Sequence, residues 1–163
     1  MKNQTALITG SSAGIGLAFA ELLASKGNNL VLCARREAQL HELVQSIMRK
    51  YTSNVKIIIS DLSKSDASNK IFIELQRENI FIDILINNAG YGLKKIFCES
   101  SLHEIEAYQN VLLNSVVRLT HLLIPNMRKR KYGRIINVAS IATFLPERGG
   151  LYKAIKSYLI SFS

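Results

Sequence analysis

A short apolar run, Ala6-Leu7-Ile8, leads directly into Thr9-Gly10-Ser11-Ser12-Ala13-Gly14-Ile15-Gly16, after which apolar residues recur at helical spacing through Leu23. No other feature constrains the fold as tightly. A strand that becomes a helix within a few residues leaves the helix's first N–H groups unpaired and aimed at one spot. Gly10, Gly14 and Gly16 carry no side chains, so a diphosphate can approach that spot closely. Three glycines alone also fit a surface loop. The strand before and the amphipathic helix after favour a nucleotide-binding turn, with Thr9, Gly10, Ser11, Ser12, Ala13, Gly14, Ile15 and Gly16 as its candidate contacts.

The rest of the chain repeats strand and helix in alternation. The first strand spans about Thr5 to Thr9, and its helix runs from Gly14 to about Lys26 with Gly27 as the stop. A second strand, Leu30-Val31-Leu32-Cys33, ends in Ala34-Arg35-Arg36. Dinucleotide sites commonly present an acid to the ribose 2′-OH about 20 residues after the glycine turn. Here no acid stands at that place. A carboxylate repels a 2′-phosphate, whereas a guanidinium binds it through paired hydrogen bonds. Arg35 and Arg36 therefore favour NADP(H) over NAD(H), unless they are only solvated residues opening the next helix.

That next helix uses Leu40, Leu43, Val44 and Ile47 and ends around Arg49 to Tyr51; Val55 to Ile59 forms the third strand. At its carboxyl end, Asp61 and Leu62 border an adenine ring, or Asp61 merely orients the turn. A helix from roughly Lys64 to Glu78 and a strand over Ile82 to Ile86 lead to Asn87-Asn88-Ala89-Gly90. Asn side chains can tie neighbouring strands, and Ala89 and Gly90 let a flat ligand approach, although an Asn pair also fits a plain turn. A long helical region over about Leu102 to Lys131 contains Asn114, which either faces solvent or bonds a carbonyl or water at the ligand edge. Arg134 to Ser140 reads as the fifth strand, and a helix follows over Tyr152 to Ile160. This alternation requires parallel strands with helices on both faces. The expected fold is a three-layer, Rossmann-like α/β sheet of about five strands, in one domain over residues 1–163.

Composition narrows the partners. With 48% hydrophobic and 20% charged residues the chain is not disordered. A net charge of +9 suits an anionic cofactor, a nucleic acid or an anionic membrane equally. The densest basic cluster, Arg128-Lys129-Arg130-Lys131, complements the negative end of the long helix. No zinc spacing, helix-turn-helix or aromatic-interleaved basic strand accompanies it, so nucleic acid is not expected. Cys33 and Cys98 form no CxxC pair, and His41, His103 and His121 lack ligand-like neighbours, so no metal is expected. His121, among Leu119, Leu122 and Leu123, reads as a packing residue. Without a signal-peptide pattern or a long apolar run, no transmembrane segment and a cytoplasmic location are expected.

Tyr152 and Lys156 fall one helical turn apart on one face. Taken alone, they fit an aromatic contact and a surface charge. With Ser140 and Asn114 at the carboxyl edge of the sheet, they form a set suited to hydride transfer at a carbonyl. Tyr152 would donate the proton as charge develops on oxygen, while Lys156 would favour the phenolate and hold the cofactor ribose. Ser140 would hydrogen-bond the carbonyl, and Asn114 would position a water linking Lys156 to solvent.

On these residues the chain resembles the short-chain dehydrogenase/reductase family. Thr9, Gly10, Gly14, Ile15 and Gly16 match its glycine pattern, residues 87–90 its Asn-Asn-Ala-Gly segment, and Gly133 to Ala142 its fifth strand and serine loop. The resemblance implies that Asn114, Ser140, Tyr152 and Lys156 are the four catalytic positions. It adds Asn88, Ala89 and Gly90 to the cofactor contacts, and Ala34-Arg35 resembles the NADP-preferring members. A small-molecule carbonyl or alcohol is the implied substrate, and family-like homo-oligomers could use the long helix.

Three departures accompany the match. Ser140 and Tyr152 are 12 positions apart, one fewer than is common in the family. A misplacement of 1 Å costs about a hundredfold in rate. Ile155 stands where members commonly carry Ser or Thr. Members also commonly continue well beyond Ser163, so the chain reads as carboxyl-terminally incomplete, with a fifth strand whose free edge leaves Ile135, Ile136 and Val138 short of neighbours. The alternative reading is a catalytically inactive nucleotide-binding or interaction module produced by truncation.

Overall fold

The computed structural model describes residues 3–92, 97–146 and 150–163. Its elements follow in the order β1 (Thr5–Thr9), α1 (Gly14–Ser25), β2 (Asn29–Ala34), α2 (Glu37–Lys50), β3 (Val55–Ile59), α3 (Ala67–Arg77), β4 (Ile84–Asn87), α4 (Leu102–Gln109), α5 (Ser115–Lys129), β5 (Arg134–Asn137) and α6 (Leu151–Phe162). A π-helical turn at Asn110–Asn114 joins α4 to α5, and single 3₁₀ turns occupy Phe97–Glu99 and Ile141–Phe144.

All five strands run parallel in the order β3-β2-β1-β4-β5. Every strand-to-strand connection is therefore a crossover, and the helices fall on both faces of the sheet. Each central strand is apolar between its ends because both of its faces are covered. Side chains alternate between the two layers. Leu7, Val31, Cys33 and Leu85 enter one core with Ile71 and Leu75 of α3, Leu119 and Leu123 of α5 and Ile155 of α6. Ala6, Ile8, Leu30, Leu32 and Ile86 enter the other with Ala20 and Ala24 of α1 and Leu40, Leu43 and Ile47 of α2.

Local chemistry explains where the elements stop. Gly27, at φ +76°, takes the left-handed conformation that ends α1, and Asn28, fully buried, returns its side-chain amide to the Leu23 carbonyl. Ser101 caps α4 in a reciprocal box with Glu104. The long helical region expected from the sequence is broken by the π turn. There, Ser115 bonds back to the Val111 carbonyl at 2.7 Å, and Asn110 leaves the helix surface to donate to the Ser63 carbonyl.

Several boundaries differ from the sequence reading. The third helix starts at Ala67 rather than Lys64, because residues 61–64 form a turn closed by Lys64 N–H on the Asp61 carbonyl. The fifth strand is shorter than expected: β4 ends at Asn87, whose carbonyl accepts the Val138 N–H as the last bond between the two strands. His121 is exposed rather than packed. It lies two residues from both Leu119 and Leu123, about 200° round the helix from the buried stripe that they share. The basic cluster divides: Arg128 and Lys129 occupy the last turn of α5, whereas Arg130 pairs with Asp83 and lies over the Phe81 ring. Among the described residues β5 pairs only with β4 and is an edge strand; Ile136 is 40% exposed, while Ile135 and Val138 are partly covered by the two cores. No helix of the described residues is long and apolar enough to cross a membrane.

Leu85 is fully buried in the centre of the sheet. Leu85→Ala is expected to lower unfolding free energy by about 2–5 kcal/mol in urea denaturation. Met48→Ala, at a 64% exposed position, should stay within about 0.5 kcal/mol of the parent.

Candidate active site

Between β1 and α1 the chain turns as the glycines permit. Gly10 at φ +67° and Gly14 at φ +57° take the left-handed conformation. The Cys33 carbonyl at the end of β2 accepts from the N–H groups of Gly10 and Ser11 and from the Ser11 hydroxyl, which bends the loop over β2. Gly16 is buried, and a Cβ there would fall 2.5 Å from both the Gly10 carbonyl oxygen and the Asn88 amide, so only glycine fits this approach. Ala13 supplies no side-chain cap to α1, so the helix's first N–H groups have no cap from it and stand at the wall of an open cleft.

Asn88 and Thr9 join the ends of β4 and β1. The Thr9 hydroxyl accepts from the N–H groups of Asn88 (3.0 Å) and Ala89 (3.1 Å) and donates to the Ile86 carbonyl (3.3 Å). In return the Asn88 amide donates to the carbonyls of Thr9 (2.9 Å) and Gly10 (3.2 Å). Asn87 reaches the other way, donating to Asn137 of β5 and Thr120 of α5. The Asn pair thus ties strands on both sides of β4.

A cleft of about 1050 Å³ opens over the carboxyl edge of the sheet, where the strand order reverses on either side of β1. Of the sequence-expected residues, Gly10, Ser12, Ala13, Gly14, Ile15, Arg35, Arg36, Asp61, Leu62, Asn88, Ala89, Gly90, Ser140, Tyr152 and Lys156 line it. Thr9, Ser11 and Gly16 do not line it; they are buried behind the loop and hold its shape. At the β2 end, Arg36 donates from Nε (3.2 Å) and Nη2 (3.0 Å) to the Ser12 hydroxyl, and Arg35 faces Asp61 at 3.8 Å.

At the β5 end, Tyr152 and Lys156 share one face of α6, with the Lys156 Nζ 5.8 Å from the Tyr152 ring centroid. Lys156 is only 5% exposed and donates to the Val138 carbonyl. Burial pushes its ammonium below the ordinary value of 10.5. Ser140 caps the 3₁₀ turn, its hydroxyl accepting from Ala142 N–H at 3.3 Å. Its connection to Tyr152, one residue shorter than is common in the family, runs through residues 147–149, which lie outside the described residues. Asn114 is not brought to the cleft wall; its amide donates to Asn110 Oδ1 across the π turn at 2.8 Å.

Sequence reasoning missed the apolar wall. Ile141 and Phe144, 80% and 78% exposed, line the cleft from the 3₁₀ turn, joined by Val111, Tyr91 and Ile160. Large apolar residues in an irregular segment straight after Ser140 were the available signal. Among the described residues no group of three or more His, Cys, Asp or Glu could hold a metal ion.

Two outcomes test this geometry. A Cβ at Gly14 meets open space, so Gly14→Ala should cost only the left-handed strain of about 1–2 kcal/mol. At Gly10 it would lie 2.8 Å from the Ala89 Cα, and Gly10→Ala should cost about 1–3 kcal/mol more in the same thermal melts. For Lys156 the unfolded chain holds its proton to higher pH than the folded one, so charge burial opposes folding at neutral pH and is relieved as pH rises towards 10.5. Denaturation from pH 7 to 10.5 should show wild type gaining stability relative to Lys156→Met across that window.

Comparison with known proteins gives a consistent result. The short chain dehydrogenase family model matches residues 4–163. A fatty acyl-CoA reductase of Acinetobacter baylyi is 34% identical over 166 residues, covering 100% of this chain and 56% of that protein. The crystal structure of L-sorbose reductase from Gluconobacter frateurii, complexed with NADPH and L-sorbose, superposes with a TM-score of 0.90 at 35% identity, covering 100% of this chain and 62% of that one. A short-chain dehydrogenase from Sphingobium yanoikuyae in complex with NADPH has a TM-score of 0.91 at 33% identity, covering 98% and 62%. The chain spans less than two thirds of the length of each of these three proteins. With the family model matched along nearly its whole length and the same parallel sheet and glycine turn in place, the chain belongs to the short chain dehydrogenase family.

Proposed function

We propose that this chain carries the cofactor-binding and proton-transfer part of an NADP(H)-dependent oxidoreductase that interconverts a carbonyl and an alcohol. The observation that carries the reading is the single cleft wall joining the uncapped start of α1, the Arg35-Arg36 pair and the Tyr152-Lys156 face of α6. The residues fit a dinucleotide. A helix N-terminus without a side-chain cap suits a diphosphate, and Gly14 leaves open space beside it. The two guanidiniums at the β2 end suit a 2′-phosphate, with Asp61 and Leu62 beside the adenine and Asn88, Ala89 and Gly90 flooring the cleft between the two ends. NADPH-bound structures among the similar proteins support the same choice.

The bound nicotinamide would supply or accept a hydride. The chain's own residues handle the proton and the charge. Tyr152 lines the cleft and donates its phenolic proton to the oxygen on which negative charge develops; in the oxidative direction it takes the proton back. The Lys156 ammonium, held by the Val138 carbonyl and set against the Tyr152 ring, stabilises the phenolate left behind. The Ser140 hydroxyl, whose oxygen accepts the Ala142 N–H, keeps its own O–H to donate a hydrogen bond to the same substrate oxygen. Ile141 and Phe144 offer apolar surface to the carbonyl substrate and reduce water at the reacting oxygen.

Titration of the purified chain with NADPH, followed by nicotinamide fluorescence, should saturate and should favour NADPH over NADH. Tyr152→Phe should keep the NADPH dissociation constant within about twofold and lower turnover of a carbonyl substrate by about 10²–10⁴-fold. Turnover equal to wild type would remove Tyr152 from the proton transfer. Binding without any reduction across a carbonyl panel would instead favour a nucleotide-binding module.

A further inference from the structure

The two arginines at the end of β2 are not equivalent. Arg36 is fixed: its Nε and Nη2 both donate to the Ser12 hydroxyl, and Ser12 is 9% exposed in the glycine turn. The neighbouring acid Glu37 lies 3.6 Å from His41 Nε2 on the outer turn of α2, and the Arg36 and Ser12 pair has no carboxylate among its described partners. Arg35 has a different environment. Its side chain is 61% exposed, and its Nη1 faces Asp61 Oδ1 at 3.8 Å. That carboxylate cannot follow the arginine, because Oδ1 also accepts the Ser63 N–H at 3.0 Å and is anchored at the end of β3.

We propose that Asp61 is a positioning residue that weakens the preference of this cleft for a 2′-phosphorylated adenosine, by holding Arg35 towards β3 and away from the phosphate seat formed by Arg36 and Ser12. The inference rests on the NADP(H) reading above and deepens it. A phosphate seated on Arg36 and Ser12 draws Arg35 towards it, and each guanidinium that joins adds a charge-assisted pair of hydrogen bonds. For Arg35 to join, its ion pair with Asp61 must open, and the anchored carboxylate stays behind with its charge uncompensated. The preference for the phosphorylated ligand is thus reduced by the exchange of one partly exposed ion pair for another. Contacts from Asp61 to the adenine ring are common to both ligands and leave their ratio unchanged.

The test uses adenosine 2′,5′-bisphosphate and 5′-AMP, which probe this end of the cleft without nicotinamide or substrate, in calorimetric titrations at fixed ionic strength. Asp61→Asn keeps an oxygen for the Ser63 N–H and removes the charge. The ratio of the 5′-AMP to the bisphosphate dissociation constant should rise about three- to fivefold in Asp61→Asn, the scale of one exposed ion pair. In the Arg35→Gln background the same Asp61→Asn change should leave the ratio within error, because the effect passes through Arg35. Matching thermal midpoints and circular dichroism spectra confirm that the variants are folded. An unchanged ratio in Asp61→Asn, or equal weakening of both ligands, overturns the inference and leaves Asp61 as an adenine or turn residue. A rise that persists without Arg35 overturns it in favour of direct repulsion between Asp61 and the phosphate. Wild-type binding of the bisphosphate no tighter than 5′-AMP would instead overturn the NADP(H) reading on which the inference rests.

Discussion

The Thr9 hydroxyl holds the structure together at the point where it would otherwise part. A hydroxyl can donate once and accept twice, and all three capacities are used: Ile86 accepts, Asn88 and Ala89 donate. Thr9 is 2% exposed, so each of these groups would be costly to leave unpaired. At this point β1 and β4 end, and the chain departs to opposite sides of the sheet, towards β2 and β3 on one side and β5 on the other. Parallel strands that diverge here leave a crevice, and the exchange of hydrogen bonds between Thr9 and Asn88 sets its floor. The Asn88 amide also occupies the space that a Cβ on Gly16 would need, so the turn and the floor determine each other's shape.

From that floor the cleft takes its electrostatic character. Its β2 end holds two guanidiniums, its centre the uncapped start of α1, and its β5 end a buried ammonium. Each positive element is positioned by a neutral oxygen or a partly exposed acid: Ser12 for Arg36, Asp61 for Arg35, the Val138 carbonyl for Lys156. An elongated anion with charge along its length is the ligand this arrangement suits. Lys156 is the most buried of the three, and its burial opposes folding at neutral pH.

Much of this was legible in the residues. The apolar runs Ala6-Leu7-Ile8 and Leu30 to Cys33 are buried on both faces, and a continuous run bounded by turn residues carries that information directly. The glycine turn was legible because glycine takes the left-handed backbone at 10 and 14 without strain and permits the close approach at 16. Boundaries were less so. Residues 138–140 read as a continuation of the strand, yet pairing stops at the Val138 N–H on the Asn87 carbonyl because β4 ends there. His121 sits among leucines in sequence but on the far side of α5 in space.

The sequence by itself determined the alternation of elements, the glycine turn and the Tyr152-Lys156 face, because each depends on residues within a few positions of one another. Only the tertiary structure decided that Thr9 and Asn88, 79 positions apart, share hydrogen bonds, that Arg36 meets Ser12 while Arg35 meets Asp61, and that Asn114 turns to Asn110 away from the cleft wall. It also decided that Ile141 and Phe144 form the cleft's apolar wall. These relations depend on strand order and on where each crossover returns to the sheet, and no local pattern encodes the distance between the ends of two strands.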